Sequence, residues 1–252
     1  MPHIGIKKNN MKTTPRFIAA LALAGAFAST SLSAAESGPY IRLDNGVNSI
    51  SGANLKLGPV SAYSVGASNS EKIKFKPGYV FGGAVGYRFS EAFAAEIELD
   101  RAQNSVDTIG GVGVQTVLDQ SVKFKQTSLL ASGVYNHKLS ESVTLNLGAG
   151  AGAQFCSANI EEGSFTQTYG GVAYTVYGKR KSDAAFVAQL KTGVSIGLAK
   201  NVTFDAGYKL RFVSSSDIYE LGLSSATING SEKFAVDSRL NHVFSAGFTV
   251  SF

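Results

Sequence analysis

The chain of 252 residues carries 44% apolar residues, 28 Gly, one Cys and no Trp, and its 23 Lys and Arg exceed its 18 Asp and Glu. The excess is concentrated at the N-terminus: Lys7, Lys8, Lys12 and Arg16 have no acidic neighbour there, and the remainder holds 19 basic and 18 acidic residues, a balance of +1 that gives nucleic-acid binding no support. No run of roughly 18 apolar residues occurs in the body of the chain, which argues against helical membrane spans. The lone Cys156 builds neither an intramolecular disulfide nor a thiolate metal cluster, and an inert thiol is expected.

Residues 1–35 read as a targeting segment. The basic stretch Met11–Arg16 precedes the apolar Phe17–Phe27, and small residues lead to Ser33-Ala34-Ala35, the pattern of a secretory cleavage site. Cleavage after Ala35 makes Glu36 the first mature residue, with the ten residues before Met11 as an upstream extension. Residues 36–252 then form one domain.

That domain alternates. Its first strand runs from Gly38 through Tyr40, Ile41, Arg42, Leu43 and Asp44 to about Val47, where Asn45-Gly46 is a turn signal, and Ser49–Lys76 reads as a long loop. The second strand places Tyr79, Phe81, Gly83, Val85, Tyr87 and Phe89 on one face against Val80, Gly82, Ala84, Gly86 and Arg88. Ser90-Glu91-Ala92 turns the chain into a third strand, with Phe93, Ala95, Ile97 and Leu99 against Ala94, Glu96, Glu98 and Asp100, and a second loop spans Arg101 to about Ser121. A fourth strand carries Thr127, Leu129, Ala131, Gly133 and Tyr135, and a fifth runs from Val143 to Phe155. After a third loop from Cys156 to about Asp183, the sixth strand alternates Phe186, Ala188, Leu190, Thr192, Val194, Ile196 and Leu198 with Val187, Gln189, Lys191, Gly193, Ser195 and Gly197. The seventh sets Val202, Phe204, Ala206, Tyr208, Leu210 and Phe212 against Thr203, Asp205, Gly207, Lys209 and Arg211. A fourth loop, Val213 to about Asp237, leads to the closing strand, whose row of Leu240, Phe244, Ala246, Phe248, Val250 and Phe252 ends on an aromatic.

Three short turns thus alternate with four long loops, giving an all-β fold: an eight-stranded antiparallel up-and-down transmembrane β-barrel with both ends on the short-turn side. Alternation alone also suits a soluble sheet. The second face decides, because it is rich in Gly, Ala, Ser and Thr rather than in Lys, Glu and Gln, as the narrow interior of eight strands requires. Tyr79, Phe89, Phe93, Tyr135, Phe155, Phe186, Phe212 and Phe252 lie at strand ends, as an interfacial girdle does.

The segment Pro77–Phe89, followed by Ala95–Leu99, resembles the opacity-protein and surface-antigen superfamily of outer-membrane β-barrels. The final Gly247–Phe252 resembles the signal such proteins present to the barrel-assembly machinery, with Phe248, Val250 and Phe252 as its apolar positions. The resemblance spans the mature chain. It implies a cell outer-membrane protein in contact with lipid and lipopolysaccharide, with extracellular long loops and periplasmic termini.

Charges on the small-residue face are the candidate site. In register through the tight turns, Glu96 faces Gly86, Glu98 faces Ala84, and Lys191 faces Lys209 with Asp205 and Arg211 nearby. The third and seventh strands stand opposite in a ring of eight, so Glu96, Glu98 and Asp100 are expected to reach Lys191, Lys209 and Arg211, with Arg88 below. Such charges need partners in a low-dielectric interior. A plug of salt bridges is the primary reading, with an ion path or gate as the alternative. In the third loop, Lys179-Arg180-Lys181 follows Tyr169, Tyr174 and Tyr177. It reads as a solvated tip, or as a contact for anionic lipopolysaccharide or host glycans. Neither His137 nor His242 has a nucleophile at the spacing used by lipid A deacylases, so no catalytic residue, metal or cofactor is assigned. The function expected is an outer-membrane surface antigen, adhesin or membrane-stabilising scaffold working through its loops and meeting a host-cell ligand; the alternative is a narrow channel or carrier for small or hydrophobic solutes.

Overall fold

The computed structural model describes residues 37–56, 70–109, 112–113, 122–159, 163–169, 172–180, 182–224 and 229–252. The leader and its cleavage site lie outside these. Eight strands make the barrel: β1 (Gly38–Ser51), β4 (Gly78–Arg88), β5 (Phe93–Ile109), β7 (Lys123–Lys138), β8 (Val143–Asn159), β11 (Ser182–Ala199), β12 (Val202–Val213) and β15 (Arg239–Ser251). Each pairs antiparallel with the next of these in the chain, and β15 returns to β1, so the ring closes without a free edge. Closure is what hydrocarbon demands, since no water is there to satisfy an edge.

Two of the short turns share one hydrogen-bond pattern. The amides of Phe89 and Ser90 donate to the Phe93 carbonyl, and those of Leu139 and Ser140 to the Val143 carbonyl. The third turn follows an irregularity between Gly197 and Ala199.

Side-chain polarity is inverted relative to a water-soluble protein. Glu96, Glu98, Asp100, Lys209, Arg211 and Arg239 are buried, whereas Leu43, Phe81, Val85, Ile97, Leu99, Leu129, Leu190, Phe244 and Phe248 are exposed on the outer wall. An apolar band this continuous marks a lipid-facing surface. Of the predicted girdle, Tyr79, Phe89, Phe93, Tyr135, Phe155, Phe186 and Phe212 are exposed.

Strands outrun the lengths predicted from the sequence. β1 continues through Asn45-Gly46 to Ser51, because Asn45 and Gly46 are paired on both sides, with Ala246 and Ser245 of β15 and with Phe81 and Val80 of β4. Two ladders outweigh a local turn preference. The four predicted loops also contain strands. Short β2 (Asn54–Lys56), β3 (Ser70–Phe75) and β6 (Val112–Gly113) lie in the first two, β9 (Gly163–Tyr169) and β10 (Val172–Arg180) in the third, and β13 (Ser216–Ser224) and β14 (Asn229–Val236) in the fourth. Together β5, β3, β2, β14, β13, β10 and β9 form a continuous hydrogen-bonded series at the long-loop end of the barrel. At 17 and 18 residues, β5, β8 and β11 exceed the roughly 9–11 that cross a membrane.

Candidate functional site

The lumen is filled in layers, and its centre is charged. Period-2 geometry points Glu96, Glu98 and Asp100 of β5 inward, toward Lys191 of β11, Lys209 and Arg211 of β12, and Arg42 and Asp44 of β1. Glu98, fully buried, lies 2.6 Å from Arg211 Nη2, 2.9 Å from Arg42 Nη2, 3.2 Å from Lys209 Nζ and 3.8 Å from Lys191 Nζ. Glu96 lies 2.5 Å from Lys191 Nζ and 2.8 Å from Arg42 Nη1, and accepts a hydrogen bond of 2.7 Å from Tyr40 Oη. Asp100 pairs with Arg211 and lies 3.7 Å from Lys209 Nζ. Asp44 lies 3.2 Å from both Lys209 Nζ and Arg42 Nε. Four cations meet four carboxylates, so the layer is neutral overall.

Small residues on neighbouring strands make room for it. A Cβ at Gly82 would overlap Asp100 Oδ1, one at Gly86 the Tyr40 ring, and one at Gly148 would lie 2.7 Å from Lys191 Cε. The register places Gly86 opposite Glu96, Ala84 opposite Glu98, and Lys191 opposite Lys209.

Toward the long-loop end lies a layer of amides. Asn48 Nδ2 donates to Asn104 Oδ1 at 2.7 Å, Gln126 Nε2 to the same oxygen at 3.2 Å, and Asn241 Nδ2 to Gln126 Oε1 at 2.6 Å; Gln154 Nε2 also donates to Gln126 Oε1. Beyond them, Ile50, Ala53, Ile73, Val122, Phe124, Cys156, Ala158, Ile218 and Val236 form an apolar cluster across the mouth. Toward the short-turn end, a cavity of about 80 Å³ is bordered by Tyr40, Arg42, Arg88, Glu96, Lys191 and Asp205.

The outer membrane protein beta-barrel domain model matches residues 18–252. The chain belongs to that family of outer-membrane β-barrels. No curated protein is similar enough to the chain to count as a relative. Among solved structures it is similar to Neisserial surface protein A (18% identity, 86% of this chain, 99% of that one, TM-score 0.48). It is also similar to OprG of Pseudomonas aeruginosa (14%, 86% and 98%, TM-score 0.50) and to the outer membrane protease OmpT of Escherichia coli (9%, 88% and 99%, TM-score 0.46).

In this outer-membrane barrel the remaining predicted residues fall apart from the central layer. Arg88 donates to Ser251 Oγ at 2.9 Å and stacks 5.0 Å over the Tyr40 ring. Asp205 accepts from the hydroxyls of Ser195, Thr203 and, at 2.6 Å, Thr249. Tyr174, Tyr177, Lys179 and Arg180 sit on β10, whose backbone pairs Lys179 with Glu220 and Arg180 with Tyr219; their side chains and the whole of Lys181 lie outside the described residues. On the closing strand, Phe248 pairs with Phe204 of β12 and Leu43 of β1, Val250 with Val202 and Ile41, and the Phe252 amide donates to the Pro39 carbonyl at 3.0 Å.

Tyr40, Arg42 and Asp44 are central residues that sequence reading missed. The signal was present, since on the predicted first strand they alternate with Ile41 and Leu43. Arg239 was also missed. It is buried at the mouth, donating to Cys156 Sγ at 2.8 Å and Ser216 Oγ at 3.4 Å, with its guanidinium 5.2 Å over the Phe124 ring. Cys156 is thereby shielded on every side. In the folded barrel it is expected to stay unreacted with a thiol-specific chromogenic disulfide, and to react stoichiometrically once heated in denaturant. Prompt reaction of the folded protein would mean that the mouth is open.

Proposed function

We propose that this outer-membrane barrel is a closed-lumen surface protein that acts through the strand-built prolongation of its long loops, as an antigen, adhesin or membrane-stabilising scaffold. The observation that carries this reading is the stacking of three filled layers in the lumen: the neutral charge cluster, the amide layer and the apolar cap. Each carboxylate of the central cluster is held by a cation. That arrangement suits a plug of salt bridges better than a filter, which needs charges free to exchange partners with a passing ion. In this reading the long loops face outside the cell and both termini the periplasm, following the usual asymmetry of such barrels. Lys179, Arg180 and Lys181 are proposed to meet lipopolysaccharide or a host glycan, and Phe248, Val250 and Phe252 to be read by the barrel-assembly machinery.

The alternative, a narrow channel or carrier, rests on the cavity at the short-turn end. Planar-bilayer recording of refolded residues 36–252 separates the two. Silence is expected, and a steady conductance would overturn the closed-lumen reading. Replacing Lys191 and Lys209 together by Met leaves Glu96, Glu98 and Asp44 short of cations. That variant is expected to melt at a lower temperature yet remain silent, because the amide and apolar layers are untouched.

A further inference from the structure

A second arrangement lies outside the lumen, on the outer wall, where β12, β15 and β1 run side by side. His242 sits between Leu210 of β12 and Ser49 of β1 in the two ladders. Its Nε2 lies 3.1 Å from Ser51 Oγ, and its Nδ1 lies 2.7 Å from Tyr208 Oη. The Tyr208 ring stacks on the imidazole with centroids 6.1 Å apart and planes at 28°. A hydroxyl nucleophile within reach of an imidazole nitrogen, with the other nitrogen held by a third group, is the geometry that activates serine. Ser51 and His242 are 191 residues apart, so no sequence spacing reveals the pair.

We propose that Ser51, His242 and Tyr208 form an acyl-ester hydrolase site facing the bilayer interface, with an ester-linked lipid as substrate. This inference is independent of the loop-based function proposed above. Location selects the substrate class. The outward row of β1 changes from Ile41, Leu43 and Val47 to Ser49 and Ser51 at this level, while Leu240, Phe244 and Phe212 are exposed nearby on β15 and β12. A lipid whose acyl chain follows that apolar wall brings its ester to the apolar–polar boundary, where water is also at hand. Gly52, next to Ser51, has a φ of 69°, and among the described residues a Cβ there would meet nothing within 4 Å.

The chemistry balances as ester plus water giving carboxylic acid plus alcohol. With the imidazole neutral and Nδ1–H donating to Tyr208 Oη, the Nε2 lone pair accepts the Ser51 proton as Oγ attacks the ester carbonyl carbon. The adduct collapses, the alkoxide leaves with that proton from His242, and an acyl ester on Ser51 remains. Water adds to it, giving a proton to His242 that returns to Ser51 Oγ as the fatty acid departs. Ser51 and His242 are the catalytic residues, and Tyr208 is a positioning residue that selects the Nδ1–H tautomer.

The test uses the folded full-length barrel in detergent micelles, an alkyl fluorophosphonate as serine probe, and the p-nitrophenyl ester of a medium-chain fatty acid. Label should map to Ser51. S51A should lose both labelling and ester hydrolysis, and H242N should lower hydrolysis at least about a hundred-fold, the low end for a missing general base. Y208F should lower kcat several-fold with KM unchanged, a split that mere loss of wall packing would not give. All three side chains point away from the lumen, so the variants should keep the folded, heat-modifiable mobility of the parent. A correctly folded parent that takes no label, and hydrolyses the ester no faster than S51A, would overturn the proposal and leave three polar groups satisfying one another at the lipid boundary.

Discussion

Glu98→Gln is expected to destabilise the barrel by about 3–5 kcal/mol, the range for removing one partner of a buried ion pair. Glu98 has no exposed surface and faces Arg42, Lys209 and Arg211 within 3.2 Å. The isosteric amide keeps the packing but leaves four cations facing three carboxylates in a low-dielectric interior. The loss therefore reflects uncompensated charge rather than a cavity. It should appear as a large drop in the temperature at which the folded band converts to the unfolded one on a gel. Adding Lys209→Met to Glu98→Gln removes one excess cation and should recover part of the drop, a coupling read by a double-mutant cycle. If Glu98→Gln melts with the parent, the central cluster does not hold the lumen together.

Gly82→Leu is the second large effect. Gly82 pairs with Asp100 across β4 and β5. A side chain there would overlap Asp100 Oδ1, and its Cβ would stand 2.7 Å from the Leu99 carbonyl oxygen. Asp100 would have to leave Arg211, and the backbone would have to shift. Overpacking alone costs about 1–3 kcal/mol, and the displaced carboxylate adds to it. Gly133→Leu is the matched control. Gly133 lies on the lipid-facing row of β7, where a Cβ meets nothing within 4 Å, so its melting temperature should match the parent. Equal melting of both variants with the parent would mean that the lumen has slack the packing does not show.

Both effects depend on positions whose facing was legible from the chain alone. Successive side chains of a strand point to opposite sides whatever the strand pairs with. Gly82 and Glu98 therefore belong to the inner row, and Gly133 to the outer, whichever strands lie beside them. The same local rule yields the eight strands, and the short turns follow from their own residues, as at Phe89–Phe93. Register through a tight turn is nearly local too, which is why Glu98 opposite Ala84 and Lys191 opposite Lys209 could be read off.

Other features depended on pairings that no local pattern encodes. The strands within the long loops are an example: Leu55 of β2 pairs with Val236 of β14 across most of the chain, and neither segment alternates strongly enough to announce itself. Asn45-Gly46 reads as a turn by its own preference and is held extended by ladders on both sides. Upstream on the same strand, Arg42 and Asp44 complete the charge balance of the lumen.

The sequence by itself thus determined the eight barrel strands, the inner and outer rows, the tight turns and the signs of the lumen charges, because those follow from side-chain alternation and turn chemistry within a few residues. Only the tertiary structure decided which cation meets which carboxylate, which side chains pack across the lumen, and that Ser51 meets His242. Those depend on ring closure, which brings residues far apart in sequence within hydrogen-bond distance.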